Sequence, residues 1–321
     1  MIVTLIIIIF LISSSAQQQQ GQEAELGGGP IIETKPEIKI EEVIEEIEVE
    51  KFEKVPKLVE DPDPEPVLPY AHSVVVIDMD SGKILFAKEE RKKMPIASLT
   101  KVMTAIIVEE KITDWDEEVW ISKKAAFSGG AGVSLKWDER IQADKLFKAM
   151  VMNSDNAAAI ALAEHISGST EEFAKLMNEK ARDLGALDTK FVEPSGLEDE
   201  VSHSTAYDIA LITQYAAKKK KTCDTMRIKG PIEVASSDGI LVHRVGNTNQ
   251  FLRDENFQHL ANRIEMGKTG FTYNAGYCLM TAMEDKKGKR KAIGVILNSA
   301  KKTRWYEMEN IIEWSFDNYT W

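Results

Sequence analysis

The sequence predicts a mixed α/β fold of the α+β type, in which an antiparallel sheet is flanked by helices and adjoins a helical block. Strand-like stretches rich in β-branched residues occur near residue 75 and again from Met266 to Asn298. The long interval between them has helical spacing instead. Because the two sets of strands flank the helices, one sheet assembled from both ends of the region is the economical arrangement.

The folded region is predicted to begin near Tyr70, and its first element is a β-hairpin. Ser73 to Met79 includes four consecutive β-branched residues, Asp80 to Lys83 has turn chemistry, and Ile84 to Ala87 returns as a second strand. The next segment, Leu99 to Val108, has helical spacing but is apolar on nearly every side. A helix that is hydrophobic all round is buried inside a domain.

Helical spacing then predicts four more helices, over Ala143 to Met152, Asn156 to His165, Thr170 to Leu184, and Thr205 to Ala217. The stretch from Met266 to Asn298 is predicted to form strands separated by a Lys/Gly-rich turn at Asp285 to Lys289. A closing helix is predicted from Trp305 to Phe316, and its aromatic side chains are expected to pack it on the sheet.

The charge of the 321-residue chain is uneven. The formal net charge is −12, which argues against a nucleic-acid partner because binding polyphosphate requires a basic surface. Residues 17–69 contain 15 acidic and 5 basic residues, so residues 70–321 carry a net charge of only −2. With 43% hydrophobic residues, the chain has enough apolar material for a large catalytic domain.

Residues 17–69 are predicted to form an acidic, Pro/Glu-rich disordered linker. The segment holds a glutamine run, a triple glycine and the sequence Asp61-Pro62-Asp63-Pro64-Glu65-Pro66. A segment with so few aromatic residues and so much negative charge cannot bury enough apolar surface to offset the chain entropy lost on folding.

Residues 1–16 are predicted to be a signal peptide. Their apolar run, Ile2 to Ile12, is shorter than the roughly 20 residues that span a bilayer, and Ser14 and Ala16 fit the small-residue pattern before a cleavage site. The basic residues usual at the start of a signal peptide are absent, so an uncleaved N-terminal membrane anchor stays open. In either case the protein is expected to be extracytoplasmic, secreted or tethered to the outer face of the cytoplasmic membrane.

The sequence predicts no metal and no cofactor. Cys223 and Cys278 lack the clustered spacing of a zinc or redox site, so two buried thiols are preferred and one disulfide is the alternative. The five histidines show no His-x-x-x-His or comparable spacing.

Three short motifs carry the candidate chemistry. In Ser98-Leu99-Thr100-Lys101, residues three apart share a helix face, so the Ser98 hydroxyl and the Lys101 ammonium should be neighbours. A lysine among apolar residues would otherwise be a buried unpaired charge. Ser154-Asp155-Asn156 joins two predicted helices and by itself indicates an N-cap and turn. Lys268-Thr269-Gly270 lies on the first late strand, where glycine permits close approach of a ligand or backbone.

In this order and spacing, Ser-x-x-Lys, Ser-Asp-Asn and Lys-Thr-Gly are the motifs that penicillin-binding proteins and class A β-lactamases use. The region from Tyr70 to the end resembles the low-molecular-weight penicillin-binding proteins of the D-alanyl-D-alanine carboxypeptidase family, peptidase S11. The wider sequence agrees in Ala97 to Lys101, Met152 to Ala158, Phe191 to Leu197, His203 to Asp208 and Lys268 to Thr272. The resemblance implies a β-lactamase/transpeptidase-like fold and a serine D,D-peptidase catalytic domain over residues 70–321.

The resemblance also implies roles for individual residues. Ser98 would be the nucleophile, Lys101 its base and Ser154 the proton relay to the leaving nitrogen. A base must be neutral, and burial together with the nearby Lys268 cation would favour the neutral amine. The substrate-binding residues would be Asn156, Lys268, Thr269, Gly270 and Phe271, with the N–H groups of Ser98 and Phe271 forming the oxyanion hole.

The implied substrate is a peptidoglycan stem peptide ending in D-Ala-D-Ala, and β-lactam antibiotics would be covalent inhibitors. Cleavage of crosslinks by a D,D-endopeptidase is the alternative, and the Ser-Asp-Asn and Lys-Thr-Gly-Phe-Thr runs look like that branch. A class A β-lactamase would need Glu193 to drive deacylation with an asparagine four residues on, where this chain has Leu197. An inactive cell-wall-binding module would be expected to lack Ser98, Lys101 or Lys268.

Overall fold

The computed structural model describes residues 55–197 and 201–321. The predicted signal peptide or anchor, and the predicted linker up to residue 54, lie outside these ranges. Within them, no helix is long and apolar enough to cross a lipid bilayer. Cys223 and Cys278 are free thiols, the first half-buried and the second buried.

The described ranges contain short pairing strands and one main sheet. The strands are β1 (Lys57–Leu58), β2 (Ser73–Asp78), β3 (Ile84–Lys88), β4 (Glu118–Trp120), β5 (Arg140–Gln142), β6 (Ile232–Ala235), β7 (Val242–Val245), β8 (Ile264–Thr272), β9 (Gly276–Glu284), β10 (Lys291–Ser299) and β11 (Tyr319–Thr320). The main sheet is antiparallel throughout, in the order β3-β2-β10-β9-β8. The prediction of one antiparallel sheet built from both ends of the region is confirmed.

The helices form the block predicted between the two sets of strands, together with a closing helix. They are α1 (Thr100–Lys111), α2 (Lys123–Ala126), α3 (Ala143–Met152), α4 (Asn156–Ser167), α5 (Thr170–Asp183), α6 (Ala206–Ala216), α7 (Lys220–Met226) and α8 (Thr303–Asn318). The bounds of α3 match the prediction, and the other predicted helices differ by a few residues at their ends, where helix boundaries are least determined by local pattern.

Both faces of the sheet are covered, which explains the continuous apolar run of β2. Val74 and Val76 pack with α8, including Trp305, in one buried cluster. Val75 and Ile77 pack with α1 and α6 in the other. An antiparallel strand with one solvent-exposed face would alternate apolar and polar residues, whereas β2 is buried at every position.

Apart from β1 with β11, two strand pairs and two short α-helices within the described residues were not predicted. β4 pairs with β5 and β6 with β7, each over three or four residues, and α2 and α7 are also short. Segments of this length give too few repeats for a periodic signal, so packing rather than local pattern determines them.

The predicted start of the folded region at Tyr70 is too late in the chain. β1 pairs antiparallel with β11, and the backbone N–H of Asp63 donates to Asn318 Oδ1 at 2.6 Å. The Trp314 indole donates to the Asp63 carbonyl at 3.0 Å, and Leu68 is buried. A proline-rich acidic segment forms no core of its own, but here its backbone polar groups pair with the end of α8. Residues 57–69 therefore belong to the folded region.

Candidate active site

Ser98 lies in a single 3-10 turn, Ala97–Leu99, directly before α1. Its side chain is half-buried, so solvent or a ligand can reach it. Ala97 has φ +49°, a left-handed conformation that is strained for a residue with a Cβ and that recurs at functional sites. Lys101 Nζ lies 3.1 Å from Ser98 Oγ. The predicted contact between the two side chains is present, although the serine sits one turn before the α-helix proper.

Lys101 is almost fully buried, with 1% of its surface exposed. Its Nζ also contacts Asn156 Oδ1 and the Ser195 carbonyl oxygen, each at 2.6 Å. Asn156 Nδ2 donates to the Gly129 carbonyl at 2.9 Å, which orients the amide so that its oxygen faces the lysine. A neutral amine has two N–H donors and one lone pair. The two acceptors use both donors, and the lone pair is left for the Ser98 hydroxyl.

Burial lowers the pKa of Lys101 to about 8, while the carboxylates of Glu193 and Asp155 act in the opposite direction. The main cause is therefore desolvation, which disfavours the charged form of a buried amine. A substantial fraction of Lys101 is neutral near that pH. The side chain is thus suited to accept a proton from Ser98.

The Ser154-Asp155-Asn156 turn connects α3 to α4. Ser154 has φ +61°, again left-handed, which directs its side chain away from the helical path. Asp155 caps α4 by accepting from Ala158 N at 2.9 Å, and its second oxygen accepts from Val133 N at 2.7 Å. The N-cap interpretation of this motif is therefore confirmed for Asp155. Its neighbours Ser154 and Asn156 face the other two motifs.

Lys268 lies on β8, the edge strand of the sheet, yet only 1% of it is exposed. Its Nζ donates to Ser154 Oγ at 2.8 Å and to the Thr269 carbonyl at 3.1 Å. Burial, followed by the positive charges of Lys101 and Arg304, holds the pKa of Lys268 well below its usual value. An anion bound next to Lys268 would supply a negative counter-charge and favour the charged form of this lysine.

The rest of the Lys-Thr-Gly motif borders the same space. Thr269 Oγ1 donates to Thr248 Oγ1 at 2.9 Å. At Gly270, a Cβ would lie 2.9 Å from the Ile96 carbonyl oxygen and 3.2 Å from Ser98 N, so the absence of a side chain lets β8 approach the nucleophile turn. Phe271 follows, 46% exposed, with its ring stacked on Tyr277 at 4.3 Å.

The structure thus brings the predicted residues together in two contact groups. Ser98, Lys101 and Asn156 form one group, and Ser154, Lys268 and Thr269 form the other. Gly270 packs β8 against the serine turn and so links the two. Within residues 55–197 and 201–321 there is no cluster of three or more His, Cys, Asp or Glu side chains that would suit a metal ion.

The loop from Glu193 to Leu197 is a part of the site that the motifs did not single out as functional. Ser195 contributes its backbone carbonyl to Lys101, and the Pro194 carbonyl accepts from Thr104 Oγ1 at 2.6 Å. Backbone oxygens carry no sequence signature. The sequence feature that could have pointed to this loop is Gly196 in the Pro-Ser-Gly-Leu run. In the structure Gly196 has φ +74° and packs closely against its neighbours, so this position requires glycine.

Arg304 and Thr248 are the other contributors that sequence reasoning missed. Arg304, at the start of α8, is buried behind β8 and donates to the carbonyls of Gly270 at 3.3 Å and Cys278 at 3.1 Å. Burial lowers its pKa to about 10. Thr248 lies in an irregular segment after β7 and is anchored by its N–H to the Met152 carbonyl at 2.9 Å. Neither Arg304 nor Thr248 belongs to a sequence motif that indicates a functional role.

A Gly196→Ala variant is expected to lose both stability and reactivity at Ser98. The added Cβ would lie 2.0 Å from the Ala97 carbonyl oxygen, so the serine turn must shift. The left-handed backbone alone should cost about 1–3 kcal/mol of unfolding free energy, measurable by urea denaturation. Gly185→Ala is the matched control, since Gly185 has φ +77° but no atom near the added Cβ. A Gly196→Ala protein that matches this control in stability and in labelling by a fluorescent penicillin would contradict the prediction.

The arrangement has the parts needed for acyl transfer. A half-exposed hydroxyl contacts a buried amine that can be neutral, which is the pairing of a nucleophile with a general base. A second buried lysine, hydrogen-bonded to the Ser154 hydroxyl, lies where the anionic group of a ligand would stabilise its charged form.

Comparison with known proteins agrees with this chemistry. A family model described as D-alanyl-D-alanine carboxypeptidase, peptidase S11, matches residues 63–301. The D-alanyl-D-alanine carboxypeptidase DacF of Bacillus subtilis is 32% identical over 255 residues, covering 78% of this chain and 63% of that protein. The D-alanyl-D-alanine endopeptidase of Haemophilus influenzae is 32% identical over 232 residues, covering 72% of this chain and 76% of the endopeptidase.

Among solved structures, penicillin binding protein 6B from Escherichia coli matches with a TM-score of 0.69 and 28% sequence identity, covering 80% of each chain. The structural similarity confirms the predicted β-lactamase/transpeptidase-like fold. The chain spans 61–66% of the length of the first three carboxypeptidases it matches.

Proposed function

Because the chain belongs to the D-alanyl-D-alanine carboxypeptidase family, we propose that it is a serine D,D-peptidase that removes the terminal D-alanine from peptidoglycan stem peptides. The observation that carries the proposal is the contact of Ser98 Oγ with Lys101 Nζ at 3.1 Å, within a site that also holds Lys268. An inactive binding module would be expected to lack Ser98, Lys101 or Lys268, and all three are present: Lys101 contacts Ser98, and Lys268 contacts Ser154.

In the acylation step, Ser98 Oγ attacks the carbonyl carbon between the two D-alanines, and its proton passes to the neutral amine of Lys101. The resulting oxyanion is stabilised by the backbone N–H groups of Ser98 and Phe271, each donor contributing about 3 kcal/mol. Ser154 relays the proton from Lys101 to the leaving nitrogen, so the C–N bond breaks, D-alanine departs and Lys101 is neutral again. Water then hydrolyses the ester and regenerates Ser98.

The terminal carboxylate of the substrate is bound by Lys268 and Thr269. The buried Lys268 ammonium supplies the charge, and the Thr269 hydroxyl supplies a directional hydrogen bond. Asn156 holds Lys101 through its Oδ1 and contacts the peptide group of the substrate. Gly270 lets β8 approach the serine turn closely, so the groups that bind the substrate lie beside Ser98. Phe271 is placed at the exposed rim of the site.

β-Lactam antibiotics are covalent inhibitors in this proposal, because they present a reactive amide and a carboxylate to the same groups. The leaving nitrogen of a β-lactam stays attached to the adduct after ring opening, so the adduct blocks the approach of water. The substrate loses D-alanine and opens that path. We therefore place the protein outside the cytoplasm, where peptidoglycan and these antibiotics are found, with residues 1–16 as its export signal or anchor.

The β-lactamase alternative is disfavoured by the contacts of Glu193. Its carboxylate accepts from Ser195 N, Ser195 Oγ and Leu197 N at 2.6–2.9 Å, and also from Gly196 N. Those donors occupy the lone pairs that a deacylating glutamate would need for a water molecule. The asparagine expected four residues later is Leu197 in this chain.

Cleavage of peptidoglycan crosslinks is the second candidate. It is favoured by the similarity to the Haemophilus endopeptidase, which is 32% identical to this chain and is covered by it over 76% of its length. The D-alanyl carbonyl that is attacked and the catalytic groups are the same in both reactions. The difference lies in whether the group beyond the scissile bond is a free D-alanine or the side chain of a neighbouring stem peptide.

The test is to incubate the purified protein with a stem pentapeptide and with a D,D-crosslinked muropeptide, and to separate the products by mass. Loss of one D-alanine from the pentapeptide supports the carboxypeptidase, and resolution of the crosslink supports the endopeptidase. The penicilloyl adduct is followed in parallel by mass spectrometry, and we expect it to persist for minutes or longer. Rapid loss of the adduct that depends on Glu193, with neither peptide cleaved, would refute the proposal in favour of a β-lactamase.

A further inference from the structure

The Glu193 carboxylate organises the loop that lies against the nucleophile turn. Oε2 accepts from Ser195 N at 2.7 Å and Ser195 Oγ at 2.6 Å, while Oε1 accepts from Leu197 N at 2.9 Å and from Gly196 N. A carboxylate has two oxygens with about four lone-pair sites. Four donors from three consecutive residues therefore use its whole capacity and fix the loop backbone.

The fixed backbone is what contacts Lys101. With the N–H groups of residues 195–197 drawn toward Glu193, the Ser195 carbonyl faces the opposite way and accepts from Lys101 Nζ at 2.6 Å. Thr104, one turn later on α1, binds the preceding carbonyl of Pro194 at 2.6 Å. The loop is thus attached to α1 through two successive carbonyls. The Ser195 carbonyl determines where one N–H of Lys101 points.

We propose that Glu193 is a positioning residue for Lys101, acting through the Ser195 carbonyl and through its own negative charge. This inference rests on the proposed serine peptidase function. Glu193 touches neither the nucleophile nor the base. It holds the acceptor that keeps the lone pair of Lys101 directed at Ser98 Oγ.

The charge of Glu193 gives the proposal a signature that a purely structural residue would not have. Two carboxylates act on Lys101, Glu193 from the loop and Asp155 from the start of α4, and both raise its pKa against the larger effect of burial. Lys268 on β8 is buried as well, and the charge of Lys101 contributes to lowering its pKa. Removing the charge of Glu193 therefore lowers the pKa of Lys101, and the neutral amine forms at a lower pH.

The experiment measures the rate of acylation by a fluorescent penicillin in wild-type protein and in Glu193→Gln, over roughly pH 6 to 10. Glutamine offers one acceptor oxygen and turns an NH₂ group toward backbone N–H donors, so the loop loosens. We expect the maximal rate to fall about 10- to 100-fold because the base is misplaced. We also expect the midpoint of the rising limb to move to lower pH.

Two further variants separate charge from geometry. Glu193→Asp keeps the charge but withdraws the carboxylate by one methylene, so the maximal rate should fall without the shift to lower pH. Asn178→Ala is the matched structural control. Asn178 holds the entry of the same loop by pairing with both the N–H and the carbonyl of Phe191, at 2.9 and 2.7 Å, and it carries no charge. It should lower stability and leave the midpoint unchanged.

The outcomes separate this inference from the proposed function. If the wild-type protein forms no Ser98-dependent adduct, the proposed function fails. If the wild type reacts and Glu193→Gln matches it in maximal rate and midpoint, only the role of Glu193 is refuted. The same holds if Glu193→Gln loses stability as Asn178→Ala does but keeps the wild-type midpoint. Normal acylation by Glu193→Gln with a much longer-lived adduct would assign Glu193 to deacylation and overturn the proposal.

Discussion

A Ser98→Ala variant is expected to form no covalent adduct with a fluorescent penicillin. Ser98 Oγ is the hydroxyl in contact with Lys101 Nζ, at the half-exposed turn before α1. Removing an activated nucleophile costs on the order of a million-fold in rate, because no other group occupies its position. The measurement is in-gel fluorescence after labelling, with the intact mass of the protein as a second readout.

The variant should otherwise be intact, since a hydroxyl at a half-buried turn is not part of the core. Ser167→Ala serves as the control, because that hydroxyl only donates to the Ala163 and Ser169 carbonyls at the end of α4. It should label like wild type. Labelling of the Ser98→Ala protein at a different serine, located by peptide mapping, would show that the nucleophile lies elsewhere.

Replacing Lys101 by arginine is expected to reduce acylation by on the order of 10³-fold. A guanidinium keeps the positive charge but does not become neutral in a protein, so it cannot take the proton of Ser98. In the wild type, the neutral amine accumulates as the pH rises through the lowered pKa of about 8. The acylation rate should therefore increase with pH across that value, and this dependence should be absent from Lys101→Arg.

The larger guanidinium also has to fit a site with 1% exposure, so folding is checked by circular dichroism and thermal melting. Lys175→Arg is the control, because Lys175 is an exposed residue of α5 that pairs with Glu172. It should leave both the rate and its pH dependence unchanged. Near-normal acylation by a folded Lys101→Arg protein would mean that the proton of Ser98 goes to another group.

Several elements were predictable because their signals are local. The β-branched run and its turn gave the first hairpin, and the bounds of α3 followed from apolar spacing alone. The three-residue spacing of Ser98 and Lys101 was enough to predict their contact, which survives in a 3-10 turn because i and i+3 also share a face there. Short strand pairs such as β4 with β5 were missed, since three residues carry no period.

The docking of residues 57–69 on α8 was missed for a different reason. Composition predicts whether a segment can form a core of its own, and this one cannot. It does not predict whether an extended chain finds partners on a surface built elsewhere. Asp63 meets Trp314 and Asn318 more than 250 residues further along the chain.

By itself, the sequence determined the fold class, the three motifs and the residues that meet within one helical turn, because period and spacing act over a few residues. Only the tertiary structure decided what surrounds Lys101. Its acceptors come from Asn156 and from the Ser195 carbonyl, 55 and 94 residues further along the chain. Burial, the largest influence on the pKa of that lysine, is a property of the packed sheet and helices. The physical reason is that desolvation and long-range hydrogen bonds depend on the distances among all packed elements, which no local pattern encodes.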